Sequence, residues 1–178
     1  SAPAGLFATL LGESPAVRGL IEDCRVACVT FTGSTPAGRA IASAAGHAMK
    51  KQVLELGGSD PFIVLADADI PSAAQAALKA RFQNTGQSCI AAKRFIVADS
   101  VADAFADLLS ELAAKLVVGD PMAAGTQIGP MARANLRDEL HTQVQATVAQ
   151  GATLPPIGRW GACEWLVVAG IGRKDFPW

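Results

Sequence analysis

Short β-branched runs that stop at glycine alternate here with alanine-rich stretches that open on a capping residue. This alternation constrains the fold more than any other feature. Val26-Ala27-Cys28-Val29-Thr30-Phe31 is apolar and stops at Gly33, which predicts a buried strand. Ser34 or Thr35 caps the next element, Pro36 stands in its first turn, and 37–48 reads as helix. Residues 52–56 and 61–65 read as strands around a Gly57-Gly58-Ser59-Asp60 turn. Asp69 before Ile70-Pro71 announces a helix continuing over 72–82. A strand is expected at 94–98 and helices at 100–115 and 131–150, the second ended by Gly151 after a loop at Gly119 to Gly125. Such a chain is expected to be α/β with a mostly parallel sheet.

With 178 residues, 51% hydrophobic and 17% charged, the chain is long enough for one domain with a core or parts of two. A formal charge of -1 and the lack of a basic run argue against a nucleic-acid partner. The apolar runs are too short to span a bilayer, and the first residues do not read as a signal peptide. Cys24, Cys28, Cys89 and Cys163 are too scattered for a disulfide framework, and with His47 and His141 they match no common zinc spacing. A reducing cytoplasm is the expected compartment. Cys24 and Cys28 are expected to be small buried hydrophobes, and His141, among Arg137, Asp138 and Glu139, to lie on a solvated helix face.

Three places can carry chemistry. Cys89 comes after the polar run Asn84-Thr85-Gly86-Gln87-Ser88, unlike a core segment. A thiol attacks only as thiolate, so a nucleophilic role needs help. A helix starting near Ile90 would aim amides at the sulfur and at an oxyanion formed on its partner carbonyl. A buried structural cysteine is the competing reading. Glu55 lies between Leu54 and Leu56 at a strand end. Buried there, it is pushed toward its neutral form, as suits a general base; a solvated strand face is the alternative. Gly57-Gly58 allows close approach to the backbone. Gly33 and Ser34 sit between strand and helix, where an anion site can form, although by itself the segment reads first as a plain capped helix. The segment is neither G-x-G-x-x-G nor a P-loop.

Phe31-Thr32-Gly33-Ser34, then Glu55-Leu56-Gly57-Gly58, then Gly86-Gln87-Ser88-Cys89, in this order and spacing, resemble the aldehyde dehydrogenase superfamily. The likeness covers about 3–154. Longer strings, including 83–87, 92–96 and 129–133, are similar to the bacterial NAD(P)-dependent succinate-semialdehyde dehydrogenase group. The resemblance implies a parallel-sheet piece of that fold. Residues 1–54 would end a Rossmann-like cofactor domain, 55–154 would belong to the catalytic domain, and 155–178 would be an atypical tail. It implies that Cys89 is the nucleophile and Glu55 the base that activates water. Gly33 and Ser34 would support the pyrophosphate of NAD or NADP, and Leu56 and Gly57 would lie along its nicotinamide half. The substrate would be a small aldehyde, and full-length members are homo-oligomers.

The sequence also departs from that pattern. Gln83 stands where some succinate-semialdehyde enzymes carry a carboxylate-binding arginine. Segments expected before and after the matched part are missing, so the chain is expected to be the middle of a longer enzyme. The tail lacks the family's Gly-Gly turn and tyrosine-containing strand, as a frameshift or truncated gene would produce. A non-catalytic remnant, and a cofactor-free hydrolase using Cys89 and Glu55, are the rival readings.

Overall fold

The computed structural model describes residues 3–152. The expected tail at 155–178, and Cys163 within it, lie outside the described residues. The chain divides into two compact units, Ser1–Gly58 and Ser59–Trp178.

The first unit begins with α1 (Ser14–Glu22), which the strand–helix alternation did not reveal. Its local signals are a proline in the first turn and an Arg18–Glu22 ion pair of 2.9 Å one turn apart. Ile21 is its buried anchor. Next come β1 (Cys28–Thr32), α2 (Thr35–His47) and β2 (Lys51–Glu55), a β-α-β unit with the strands parallel. Cys28 stands opposite Lys51 and Thr32 opposite Glu55. Ser34 caps α2, its hydroxyl accepting from the Ala37 amide at 3.4 Å. Gly38 on α2 is buried against Leu56; a Cβ there would stand 2.5 Å from the leucine Cδ2.

Two expectations fail in this unit. β1 is not a buried strand: Val29 and Phe31 are half-buried, while Cys28, Thr30 and Thr32 are exposed. Parallel strands become buried when helices cover both faces, and this pair acquires at most partial cover. For the same reason Cys28 is exposed, as is Cys24 in the turn after α1. Neither is a core residue.

The second unit starts with β3 (Asp60–Val64) and α3 (Ile70–Phe82), then a 3-10 turn at Gln83–Gly86 and β4 (Ala92–Val97). β3 and β4 are parallel, Phe62 opposite Phe95, with the register slipping between Asp60 and Pro61. Pro61 has no N–H to give a ladder, so a slip there is its natural place. Asp69 caps α3, its carboxylate accepting from the Ser72 amide at 2.9 Å, so the helix begins at Ile70, where the start signal stands in the sequence.

α4 (Ala102–Ala114) turns Phe105, Leu109 and Ala113, four residues apart, onto one buried stripe. Phe105 and Leu109 pack with Val64, Ala74 and Ala77 to form the core. The rings of Phe62, Phe95 and Phe105 meet at 5.7, 6.1 and 6.5 Å between centroids, inside the range of favourable aromatic pairs. α5 (Ala134–Ala149) starts three residues later than expected. It ends at Gly151, whose φ of +97° lets its amide reach Val148 O and that of Ala152 reach Thr147 O. That double bond is the glycine-dependent helix stop read from the sequence.

Candidate active site

Five of the six residues singled out for chemistry lie at one edge of the first unit. β1 and β2 run parallel and end side by side, and the amide of Gly33 donates to the carbonyl of Glu55 at 3.0 Å. Ser34 begins the capped N-terminus of α2, and Leu56 and Gly57 continue directly from β2. Ligands of open parallel sheets bind beyond the carboxyl ends of the strands, and this edge is such a place. A Cβ at Gly33 would stand 2.5 Å from the Cζ of Phe31, so the ring would have to move to admit a side chain there.

Glu55 is exposed, which agrees with the solvated strand face, one of the two readings of the sequence, and not with burial. Alternation along β2 explains this, since Leu54 turns to the half-buried face and Val53 and Glu55 to the open one. Gly33 and Ser34 are exposed around a helix N-terminus of backbone donors. The Gly33 amide is spent on Glu55 O, the Ala37 amide on the Ser34 hydroxyl and the Gly38 amide on Ser34 O, and Pro36 has none, which leaves the Ser34 and Thr35 amides as the donors open to an anion there.

Cys89 lies in the second unit, on the connection between α3 and β4. The helix expected from about Ile90 does not form. Residues 88–91 form a turn closed by the Ala91 amide on Ser88 O at 3.1 Å, and β4 begins at Ala92. Strand pairing with β3 claims the residues that were expected to be helical, because Ala92 already pairs with Asp60. Cys89 itself is exposed.

The loop before it is strained. Asn84, Thr85 and Gly86 have φ of 48°, 59° and 71° in succession. A β-branched residue such as Thr85 is a true outlier there, and each such residue costs about 1–3 kcal/mol unless its surroundings hold it. Sequence reasoning missed the groups that hold it. Arg81, at the end of α3, donates from Nη1 to Ala92 O at 2.7 Å and from Nη2 to Gly86 O at 3.2 Å, closing both ends of the loop. Burial pulls its guanidinium below its ordinary value. Gln87 accepts through Oε1 from the Ala132 amide at 3.0 Å, tying the loop to the segment before α5.

Lys93, the second residue of β4, donates from Nζ to Ser88 O at 2.9 Å, Cys89 O at 3.0 Å and Ala91 O at 2.9 Å. Burial first, and the charge of Arg81 second, lower the Lys93 ammonium, opposed by Asp60 and the Cys89 sulfur. The available signal was two basic residues flanking a polar, glycine-containing loop on elements with fixed facing.

Two β-α-β units, one in each compact unit, define an α/β protein with parallel strands. The aldehyde dehydrogenase family profile matches residues 1–163, and the chain belongs to that family. It is 54% identical over 152 residues to the succinate semialdehyde dehydrogenase (NAD(P)+) Sad of Escherichia coli strain K12, covering 85% of this chain and 33% of that protein. It is 53% identical over 152 residues to a succinate-semialdehyde dehydrogenase (NADP(+)) of Mycolicibacterium paratuberculosis, covering 85% and 32%. The crystal structure of succinate-semialdehyde dehydrogenase from Burkholderia pseudomallei superposes with a TM-score of 0.85 at 32% identity, over 94% of this chain and 35% of that one. The chain thus spans about a third of the length of the relatives it matches.

Among the described residues, no helix is long and apolar enough to cross a membrane.

Proposed function

We propose that this chain carries the nucleophile and general base of an NAD(P)-dependent aldehyde dehydrogenase acting on succinate semialdehyde. The single observation that supports this best is the Gly33–Glu55 backbone bond, which holds the turn proposed for pyrophosphate beside the backbone of the residue whose carboxylate is proposed to activate water. In this reading residues 1–54 belong to the cofactor domain and 55–154 to the catalytic domain. The division into units at Gly58 falls close to that boundary. Gly33 and Ser34 would hold the pyrophosphate, and Leu56 and Gly57 would line the nicotinamide half. NAD or NADP, when bound, supplies the hydride acceptor.

The Cys89 thiolate adds to the aldehyde carbon, giving a thiohemiacetal. Loss of hydride from that carbon leaves a thioester on Cys89. Glu55 takes a proton from water, the resulting hydroxide attacks the thioester carbonyl, and the carboxylate leaves as the thiol is restored. Cysteines without a pairing framework favour a cytoplasmic setting.

The test is alkylation of the purified chain at pH 7 with and without NAD+ or NADP+, followed by peptide mapping. A change confined to Cys89, with Cys24 and Cys28 as internal references, supports the reading. Equal labelling of all of them in both conditions overturns it for this chain. NAD(P)H formation from succinate semialdehyde, lost in Cys89→Ser, would extend it to turnover.

A second reading has an observation of its own: Val53, Ile63 and Ile96, all on strands, are 54%, 62% and 48% exposed. Such apolar strand faces favour association, and the chain alone would then be a non-catalytic interaction piece. Self-association without any NAD(P)-dependent change at Cys89 would favour that reading.

A further inference from the structure

The Lys93 ammonium gathers three carbonyls of the turn that carries Cys89, a degree of convergence that a strand-surface lysine has no structural need for. We propose that Lys93 is a positioning residue that orients the peptide units on both sides of Cys89. This rests on the reading of Cys89 as nucleophile and adds to it a residue whose role comes from its contacts in this fold.

Peptide geometry carries the argument. In a planar trans peptide the C=O and the following N–H point in opposite directions. Ser88 O and Cys89 O both converge on Nζ, at 2.9 and 3.0 Å. The amides of Cys89 and Ile90 therefore point together, away from the ammonium. Successive amides aimed one way create a local positive field suited to an anion. An oxyanion developing on a carbonyl attacked by Cys89 is such an anion. Among the described residues none accepts from the Cys89 amide, which stays available for that task. The third bond, to Ala91 O at 2.9 Å, fixes the exit of the turn into β4. Arg81 from α3, Asp60 from β3 and the Cys89 sulfur are the charged or titratable groups facing Lys93. The other cation, Arg81, is already committed to Gly86 O and Ala92 O and cannot replace it.

A compact ammonium can donate to three convergent oxygens, whereas a planar guanidinium reaches two of them and a thioether none. The experiment measures iodoacetamide alkylation of Cys89, Cys24 and Cys28 at pH 7 in the wild-type chain, Lys93→Met and Lys93→Arg. Amide hydrogen exchange over 88–91 is followed in parallel. Lys93→Met is expected to slow Cys89 about tenfold, with faster exchange over 88–91, the scale set by losing charge-assisted bonds. Lys93→Arg is expected to recover the Cys89 rate to within about threefold, because charge and two donors return. Cys24 and Cys28 keep their rates, which separates positioning from general loosening. An unchanged Cys89 rate in Lys93→Met overturns the proposal, and so does equal impairment in Met and Arg variants. Since no step needs cofactor, an absent NAD(P) response would sink the proposed function and leave the Lys93 result to stand or fall alone.

Discussion

The Gly33 amide and the Glu55 carbonyl are joined at 3.0 Å where two parallel strands end. The bond continues the β1–β2 ladder one residue beyond Thr32 and holds the following turn against the strand that bears Glu55. The absence of a side chain at residue 33 is what lets the Phe31 ring fold across it. Gly33→Ala is expected to destabilise the first unit by about 1–3 kcal/mol, the usual range for an overpacked site. Urea unfolding followed by circular dichroism would measure it. A midpoint equal to that of the wild type would mean that Phe31 swings aside freely.

Gly86 faces a double constraint. Its φ is +71°, and a Cβ would stand 2.5 Å from Arg81 Nη2 and 3.2 Å from Arg81 O. Gly86→Ala therefore strains the backbone and pushes on the guanidinium that closes the Cys89 loop. A loss of about 1–3 kcal/mol is expected. Exchange protection of amides over 83–92 should fall well before that of α4. Uniform loss across the second unit would show that the loop is not the part affected.

Much of this architecture was readable because local and tertiary preferences agree. Ser34, Asp69 and Gly151 each end or begin a helix by a bond their own side chain or backbone conformation makes possible. The two parallel pairs could be expected from strand–helix alternation. Reading failed where tertiary pairing decides. The residues after Cys89 have helix-compatible alanines, yet the ladder with β3 takes them at Ala92. Cys28 was assigned burial from its apolar run, and Glu55 was left between burial and a solvated face, but alternation on a half-covered sheet exposes both. Arg81 and Lys93 look like ordinary surface cations in sequence. Their importance comes from backbone carbonyls brought within reach by the left-handed run at 84–86, which no composition or spacing displays.

Phe105 anchors the second unit. It is 2% exposed and lies against both Phe62 and Phe95. Phe105→Ala removes the α4 ring that meets the Phe62 ring of β3 and the Phe95 ring of β4. A cost of about 3–5 kcal/mol is expected, enough to unfold a marginal unit. Near-ultraviolet circular dichroism should lose its phenylalanine fine structure at the same denaturant concentration as helical signal is lost. Retention of native-like exchange protection in α4 would contradict this.

Asp23 offers a pH-dependent test in the first unit. Its carboxylate accepts from the Arg25 amide and Nε, both at 2.9 Å, and from Nη2 at 2.7 Å. The side-chain bonds with Arg25 are the largest cause that lowers it from 3.8 to about 2, followed by the Arg25 backbone amide, with the charge of Lys50 a lesser help. A carboxyl lowered on folding favours the ionised folded state. Its contribution is therefore fully present above the unfolded value of 3.8 and is lost as pH falls through about 2. The group lies at the surface and is partly accessible to solvent, so screening keeps the effect on stability small, and titration is the sharper readout. Carbon-13 NMR of the Asp23 carboxyl should show a midpoint near 2 in the wild type and a return toward 3.8 in Arg25→Gln. An Asp23 midpoint that does not respond to Arg25→Gln would mean the guanidinium fork does not persist in solution.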